Sequence, residues 1–127
     1  MGHMVLEQIL TQDFLDTLIP PEIGDQFFEA LYGDASEGAY DIRLKFLNAD
    51  EEQIVLAFDL TERPGKCLAC SLTYGLPTVF SRHPLINIKK IVENIEEKGI
   101  CVTKWRLGET EERNTSNHTI PFYLDLV

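Results

Sequence analysis

Tyr40-Asp41-Ile42-Arg43-Leu44-Lys45-Phe46 alternates apolar and polar residues without interruption. A period of two belongs to a strand whose successive side chains point to opposite faces, with one face buried and one wet. The alternation resumes at Ile54, Leu56, Phe58 and Leu60 after the polar stretch Asn48 to Glu52, so the two segments read as an antiparallel hairpin. Arg63-Pro64-Gly65-Lys66 is then a Pro-Gly reverse turn. Leu68, Cys70, Leu72 and Tyr74 share the face of a third strand, which completes a meander, and Thr78-Val79-Phe80 reads as a short extension of it beyond Gly75 and Pro77.

Upstream of this meander the period is helical. Leu6, Ile9, Leu10, Phe14 and Leu18 mark an amphipathic helix over 5–18, which Ile19-Pro20-Pro21 stops because proline has no amide hydrogen and disfavours the α region in the residue before it. Pro21 suits the first turn of a second helix reaching Tyr32, with Gly33 as its stop and Ile23, Phe27, Ala30 and Leu31 as its buried stripe. Downstream, Ser81-Arg82-His83-Pro84 opens a central helix in which Ile88, Ile91, Val92 and Ile95 fall at i, i+3, i+4 and i+7, closed by Gly99. Two further strands follow, Ile100 to Leu107 and Thr119 to Leu126, around a polar loop from Gly108 to His118.

These elements predict an α+β two-layer sandwich: a mainly antiparallel five-stranded sheet, in the order ααβββαββ, with its helices on one face. With 127 residues the chain fits one domain. Met1-Gly2-His3 reads as a vector scar, leaving a single domain over 4–127, its helical segment at 5–33 and its sheet and central helix at 39–127.

Composition bounds the function. The chain is 44% apolar and 25% charged, with a net charge of −10. That sign argues against a protein that neutralises phosphates, so no nucleic-acid partner is expected. No apolar run approaches the roughly 20 residues that cross a bilayer, no export signal is visible, and three cysteines fit poorly with paired disulfides; a cytoplasmic, non-membrane protein is the expectation. The acid is segregated. Residues 1–42 carry nine Asp and Glu and no Lys or Arg.

Motifs for chemistry are sparse. Cys67-Leu68-Ala69-Cys70 is a C-x-x-C, and with Cys101 it forms the weak candidate set for metal or redox work, yet three residues apart on a strand point to opposite faces. No metal site and no cofactor are called. Ser81, Arg82 and His83 at a helix start are candidate ligands for a phosphate or carboxylate, since free amide hydrogens there attract anions. Glu51-Glu52, Glu96-Glu97 and Glu111-Glu112 read as solvated surface charge, and no G-x-S-x-G, G-x-x-x-x-G-K-S/T or G-x-G-x-x-G pattern is present. No catalytic residue is assigned. Phe28, Tyr32 and Trp105 are the candidate interaction surface, being aromatics that a lone two-layer domain has difficulty burying together with Phe27 and Tyr40.

The element order and the acidity resemble small acidic secretion chaperones, in which a helix, three strands, a helix and two strands form a dimerising module; that family's C-terminal helix has no counterpart in the pattern read here. The expectation is a non-enzymatic cytoplasmic protein-interaction module, self-associating as a homodimer or binding a protein partner. The alternatives are a small enzyme or anion-binding domain centred on Ser81, Arg82 and His83, and a chaperone of the kind just named.

Overall fold

The alternating segments form the hairpin: β1 (Tyr40–Ala49) pairs antiparallel with β2 (Gln53–Glu62), Leu44 opposite Phe58. Asp50 closes the turn by accepting the amides of Glu52 and Gln53 at 2.8 and 2.9 Å. The computed structural model describes residues 8–33, 38, 40–66 and 76–126. The third strand expected at 68–74 lies outside those residues, as do Cys67 and Cys70.

Three more strands complete an antiparallel five-stranded sheet: β3 (Val102–Leu107), β4 (Glu111–Asn114) and β5 (Asn117–Leu126). The path is β1-β2-β5-β3, with β4 also on β5. Five strands thus fill four lanes, because β3 and β4 lie end to end along one side of β5. The segment read as a polar loop from Gly108 to His118 is therefore β4, the two-residue turn Thr115-Ser116 and the start of β5. Asn114 makes that turn by accepting the Ser116 amide and hydroxyl at 2.8 and 2.9 Å.

Pro121 explains why the lane is broken. The Gly108 amide donates to the Pro121 carbonyl at 2.8 Å, so Pro121 directs its backbone at this lane, where it has no amide hydrogen to offer. The register slips by one residue between Leu107 opposite Phe122 and Glu111 opposite Thr119. Glycine stands at 108 for a steric reason: a Cβ there would lie 3.1 Å from the Tyr123 ring and 3.3 Å from Pro121. Further irregularities fall between Val102 and Lys104 and between Glu112 and Asn114. Bulges of this kind twist an edge away from stray pairing.

The helices cover one face. Among the described residues they include α1 (Gln12–Leu18), α2 (Ile23–Tyr32), α3 (Leu76–Arg82) and α4 (Ile88–Glu96). Leu15, Phe27, Phe80, Ile88, Ile91 and Ile95 join Leu44, Leu56, Phe58, Phe122 and Leu124 in one core. Burial of each of these side chains contributes about 1.5 to 3 kcal/mol, before the entropy of ordering the chain is charged. The isoleucine-rich helix is where its spacing put it, and Gly99 ends it at φ +93°.

Three local readings change. The helix expected over 5–18 is interrupted: Gln8 and Ile9 are helical, and a separate helix starts at Gln12, because Thr11 takes an extended conformation and caps the Phe14 amide at 3.2 Å. On α2 the buried stripe is Ile23, Gly24, Phe27 and Phe28, and Ala30 is exposed, since α2 packs toward both α3 and the start of β1. Thr78-Val79-Phe80 is helical. Pro77 has the φ a helix needs in its first turn, and Leu76 and Phe80, four residues apart, are both buried.

Candidate functional site

Two backbone bonds settle which way each strand faces. The Glu62 amide donates to Ser116 and the Leu126 amide to Glu52, both at 2.8 Å, so even-numbered β2 residues bond to β5 and odd-numbered ones to β1. The side chains of Leu56, Phe58 and Leu60 point to the helices; those of Val55, Ala57, Asp59 and Thr61 point to the opposite face. No described helix covers that outer face. Across it run Arg43, Asp59, Thr119 and Glu111 in one row, Lys45, Ala57 and Pro121 in the next, then Val55, Tyr123 and Arg106.

The floor of this face is small and the rim is charged. Ala57, Pro121 and Thr119 are buried. Asp59 is 8% exposed. Its carboxylate accepts from Asn117 Nδ2 at 3.0 Å and Thr61 Oγ1 at 3.1 Å, and Lys45 Nζ stands 3.5 Å away. A buried carboxylate needs this much support to stay in place.

Every cation of the face has an in-chain partner. Arg43 grips Asp16 of α1 through two bonds of 3.1 and 3.2 Å, Lys104 lies 3.8 Å from Asp125, and Arg113 lies 3.2 Å from Glu111. Arg113 also donates to Thr119 Oγ1, and Arg106 lies 4.1 Å over the Tyr123 ring. The hydrogen bonds from Arg43 and then from Gln12 hold the Asp16 carboxyl below its ordinary pKa, and Asp16 raises that of Arg43.

Among the described residues, five of the eleven Lys and Arg therefore stand on the outer face, against Asp59, Glu111 and Asp125 there and Asp16 reached from α1, a balance of +1 in a chain of −10, while Asp41 is held by Arg63 at 3.0 Å. Charge is sorted by layer.

One apolar side chain is turned onto this face by a bulge. Between Phe46, which packs on the core, and Asn48, opposite Val55, the register admits an extra residue, Leu47, 43% exposed. A bulge places both of its residues on the side of the one they oppose. Leu47 thus joins Val55 and Tyr123.

The sequence-derived candidates lie elsewhere. Ser81 and Arg82 end α3, and the helix after them begins at Asn87, whose side chain accepts the Lys90 amide at 3.3 Å with φ +47°. The free amides on which an anion site at Ser81, Arg82 and His83 depended are not at these residues, because a helix C-terminus presents carbonyls. Ser81 Oγ donates to the Thr78 carbonyl at 2.8 Å, Arg82 is exposed, and His83 Nδ1 accepts the Leu85 amide with its ring 5.0 Å from Phe27.

Phe28 was expected at the surface and is 3% exposed. It sits in an aromatic row across the core: Tyr40, Phe28, Phe27, Phe80, Phe58, Phe122 and Trp105, with successive ring centroids 4.8 to 6.2 Å apart. Trp105 is half-buried on the helical side of the sheet, opposite Leu124. Tyr32 belongs to α2, and its side chain is outside the described set.

Cys101 is exposed with a free thiol. His118 is buried at the inner end of β5, opposite Leu60. Among the described residues no three His, Cys, Asp or Glu side chains come together as a metal site, and no helix is long and apolar enough to cross a membrane.

The signal that the sequence reading passed over was in its polar alternates. Arg43, Lys45, Asp59, Lys104 and Arg106 interleave with core residues of three strands, and only the lane order shows that they share one surface. Comparison with protein-family models, with curated proteins and with solved structures finds no match.

Proposed function

We propose that this protein is a non-enzymatic interaction module that self-associates through the outer face of its sheet. The observation that carries the reading is the near-balance of charge on that face, +1 among the described residues, on a chain of net charge −10. Two copies of an acidic protein repel, and like charges brought together cost several kcal/mol, so contact favours a surface whose charges are compensated within each copy. Arg43, Lys45, Lys104 and Arg113 each meet a carboxylate of the same chain, so a second copy would cover them without stranding a charge. Leu47, Val55 and Tyr123 supply apolar contact.

The size is adequate. Ten-residue strands in four lanes span roughly 30 Å by 15 to 20 Å, or about 500 to 600 Å² per copy, at the small end of specific interfaces. An isologous pair would use the same patch twice. Chemistry is not favoured by any described grouping, and the anion-site alternative loses its helix start.

Light scattering after size exclusion, over a concentration series, tests the reading. The protein should run as a dimer at micromolar concentration, and Leu47→Asp should give a monomer with unchanged far-ultraviolet circular dichroism. A monomer at every concentration, or a dimer indifferent to Leu47→Asp and to Val55→Lys, overturns it.

A further inference from the structure

The sign of the chain reverses between Glu62 and Glu93. That stretch holds Arg63, Lys66, Arg82, Lys89 and Lys90 and no Asp or Glu. Arg63 is committed to Asp25 and Asp41 at 2.8 and 3.0 Å. Lys90, by contrast, meets no carboxylate among the described residues.

Lys90 stands on a cleft in the helical layer. The end of α1, the start of α2 and the connection from α3 to α4 enclose a volume of about 220 Å³. Its apolar lining is Ile23, Ile86 and Ile91, all buried, with Leu18 and Leu85 half-buried beside them. Its polar lining is Gln26, Asn87, Asn94 and Lys90. Asn87 spends its side-chain oxygen on the Lys90 amide at 3.3 Å and keeps its NH₂ group as a donor. The side chains of Gln26 and Asn94 and the Lys90 ammonium make no hydrogen bond or ion pair with any described residue. No Asp or Glu of α1, α2 or α4 lines the cleft.

We propose that this cleft binds a small monocarboxylate with a hydrocarbon body. One lysine compensates one negative charge, and carboxamide NH₂ groups donate to the carboxylate oxygens that the ammonium leaves open. A phosphate dianion would carry a charge beyond what Lys90 offsets. The hydrocarbon body lies on the isoleucines and leucines, where burial of apolar surface supplies affinity. The volume is below the range of about 300 to 1,000 Å³ that takes drug-sized ligands, so it fits a short acyl chain or a single ring. The cleft belongs to the helical layer and shares no lining residue with the outer face of the sheet, so the proposal stands whether or not the protein self-associates there.

Octanoate is the probe, titrated into the full chain and, to separate the two surfaces, into its Leu47→Asp variant, with amide chemical shifts followed by heteronuclear NMR. The amides of Asn87, Lys90 and Asn94 should shift together and saturate in both proteins. Lys90→Gln should weaken binding about fivefold and Lys89→Gln, an exposed neighbour outside the cleft, less than twofold, both with unchanged far-ultraviolet circular dichroism. Octanamide, which has the same chain without the charge, should bind about fivefold more weakly than octanoate, and inorganic phosphate should not displace octanoate. Octanoate that leaves these amides unmoved, equal losses in the Lys89 and Lys90 variants, or octanamide as tight as octanoate would overturn the proposal.

Discussion

Asp59 and Lys45 offer the sharpest test of why the outer face would be covered. In Asp59→Ala the hydrogen bonds from Asn117 Nδ2 and Thr61 Oγ1 are lost and the Lys45 ammonium, 3.5 Å away, loses its counter-charge. Asn117 keeps a second acceptor in the Leu60 carbonyl at 3.2 Å, so folding stability should fall by about 2 to 3 kcal/mol rather than by two full charged bonds. Lys45→Ala should cost under about 1 kcal/mol, because its side chain is 44% exposed and water screens the pair.

Association should respond differently. Each single variant leaves one uncompensated charge per copy on the covered face, hence two per dimer. At about 1 kcal/mol each for a half-exposed pair, the dimer constant should weaken about 30-fold. The double variant Lys45→Ala with Asp59→Ala removes both charges and restores the balance, so it should associate more tightly than either single one despite being less stable than Lys45→Ala alone. Urea denaturation measures the first quantity and sedimentation velocity over a concentration series the second. Single losses that add in the double variant would refute the argument from charge balance, and singles that leave association unchanged would refute the location of the face.

Two further outcomes follow from the fold. Phe80→Ala should cost about 3 to 5 kcal/mol in urea denaturation, since the ring is fully buried against Phe27 and Phe58, whereas Val79→Ala, exposed on the same helix, should cost less than about 0.5 kcal/mol; equal effects would mean that 76–82 is not a helix packed on the core. Asp16→Asn should cost about 0.5 to 1 kcal/mol at pH 6. Because Arg43 and Gln12 depress the Asp16 carboxyl in the folded state, its contribution is complete above the unfolded carboxylate value near 4 and disappears as pH falls through the lower folded value. The gap between variant and parent in denaturation midpoint should therefore close toward pH 2, and a gap that persists there would place the effect elsewhere.

What the sequence determined by itself was whatever depends on neighbours along the chain. The alternation in Tyr40 to Phe46 and Ile54 to Leu60, and the isoleucine spacing before Gly99, specified two strands, a helix and the inward side of each, because a side chain's direction follows from the local period. The α+β class and the helices on one face followed, since those apolar sides have only one another to meet. Leu76-Pro77 to Arg82 was misread because its seven residues are too short for a period to declare itself against a nearby glycine and proline. The tertiary structure alone decided the lanes. Pro121 breaks β3 from β4 only because Gly108 is brought opposite it, and Arg43, Lys45, Asp59, Lys104 and Arg106 come to share one face only because β1, β2, β5 and β3 lie in that order. Local periodicity carries no record of which strand is the neighbour, and that choice sets which charges share the outer face.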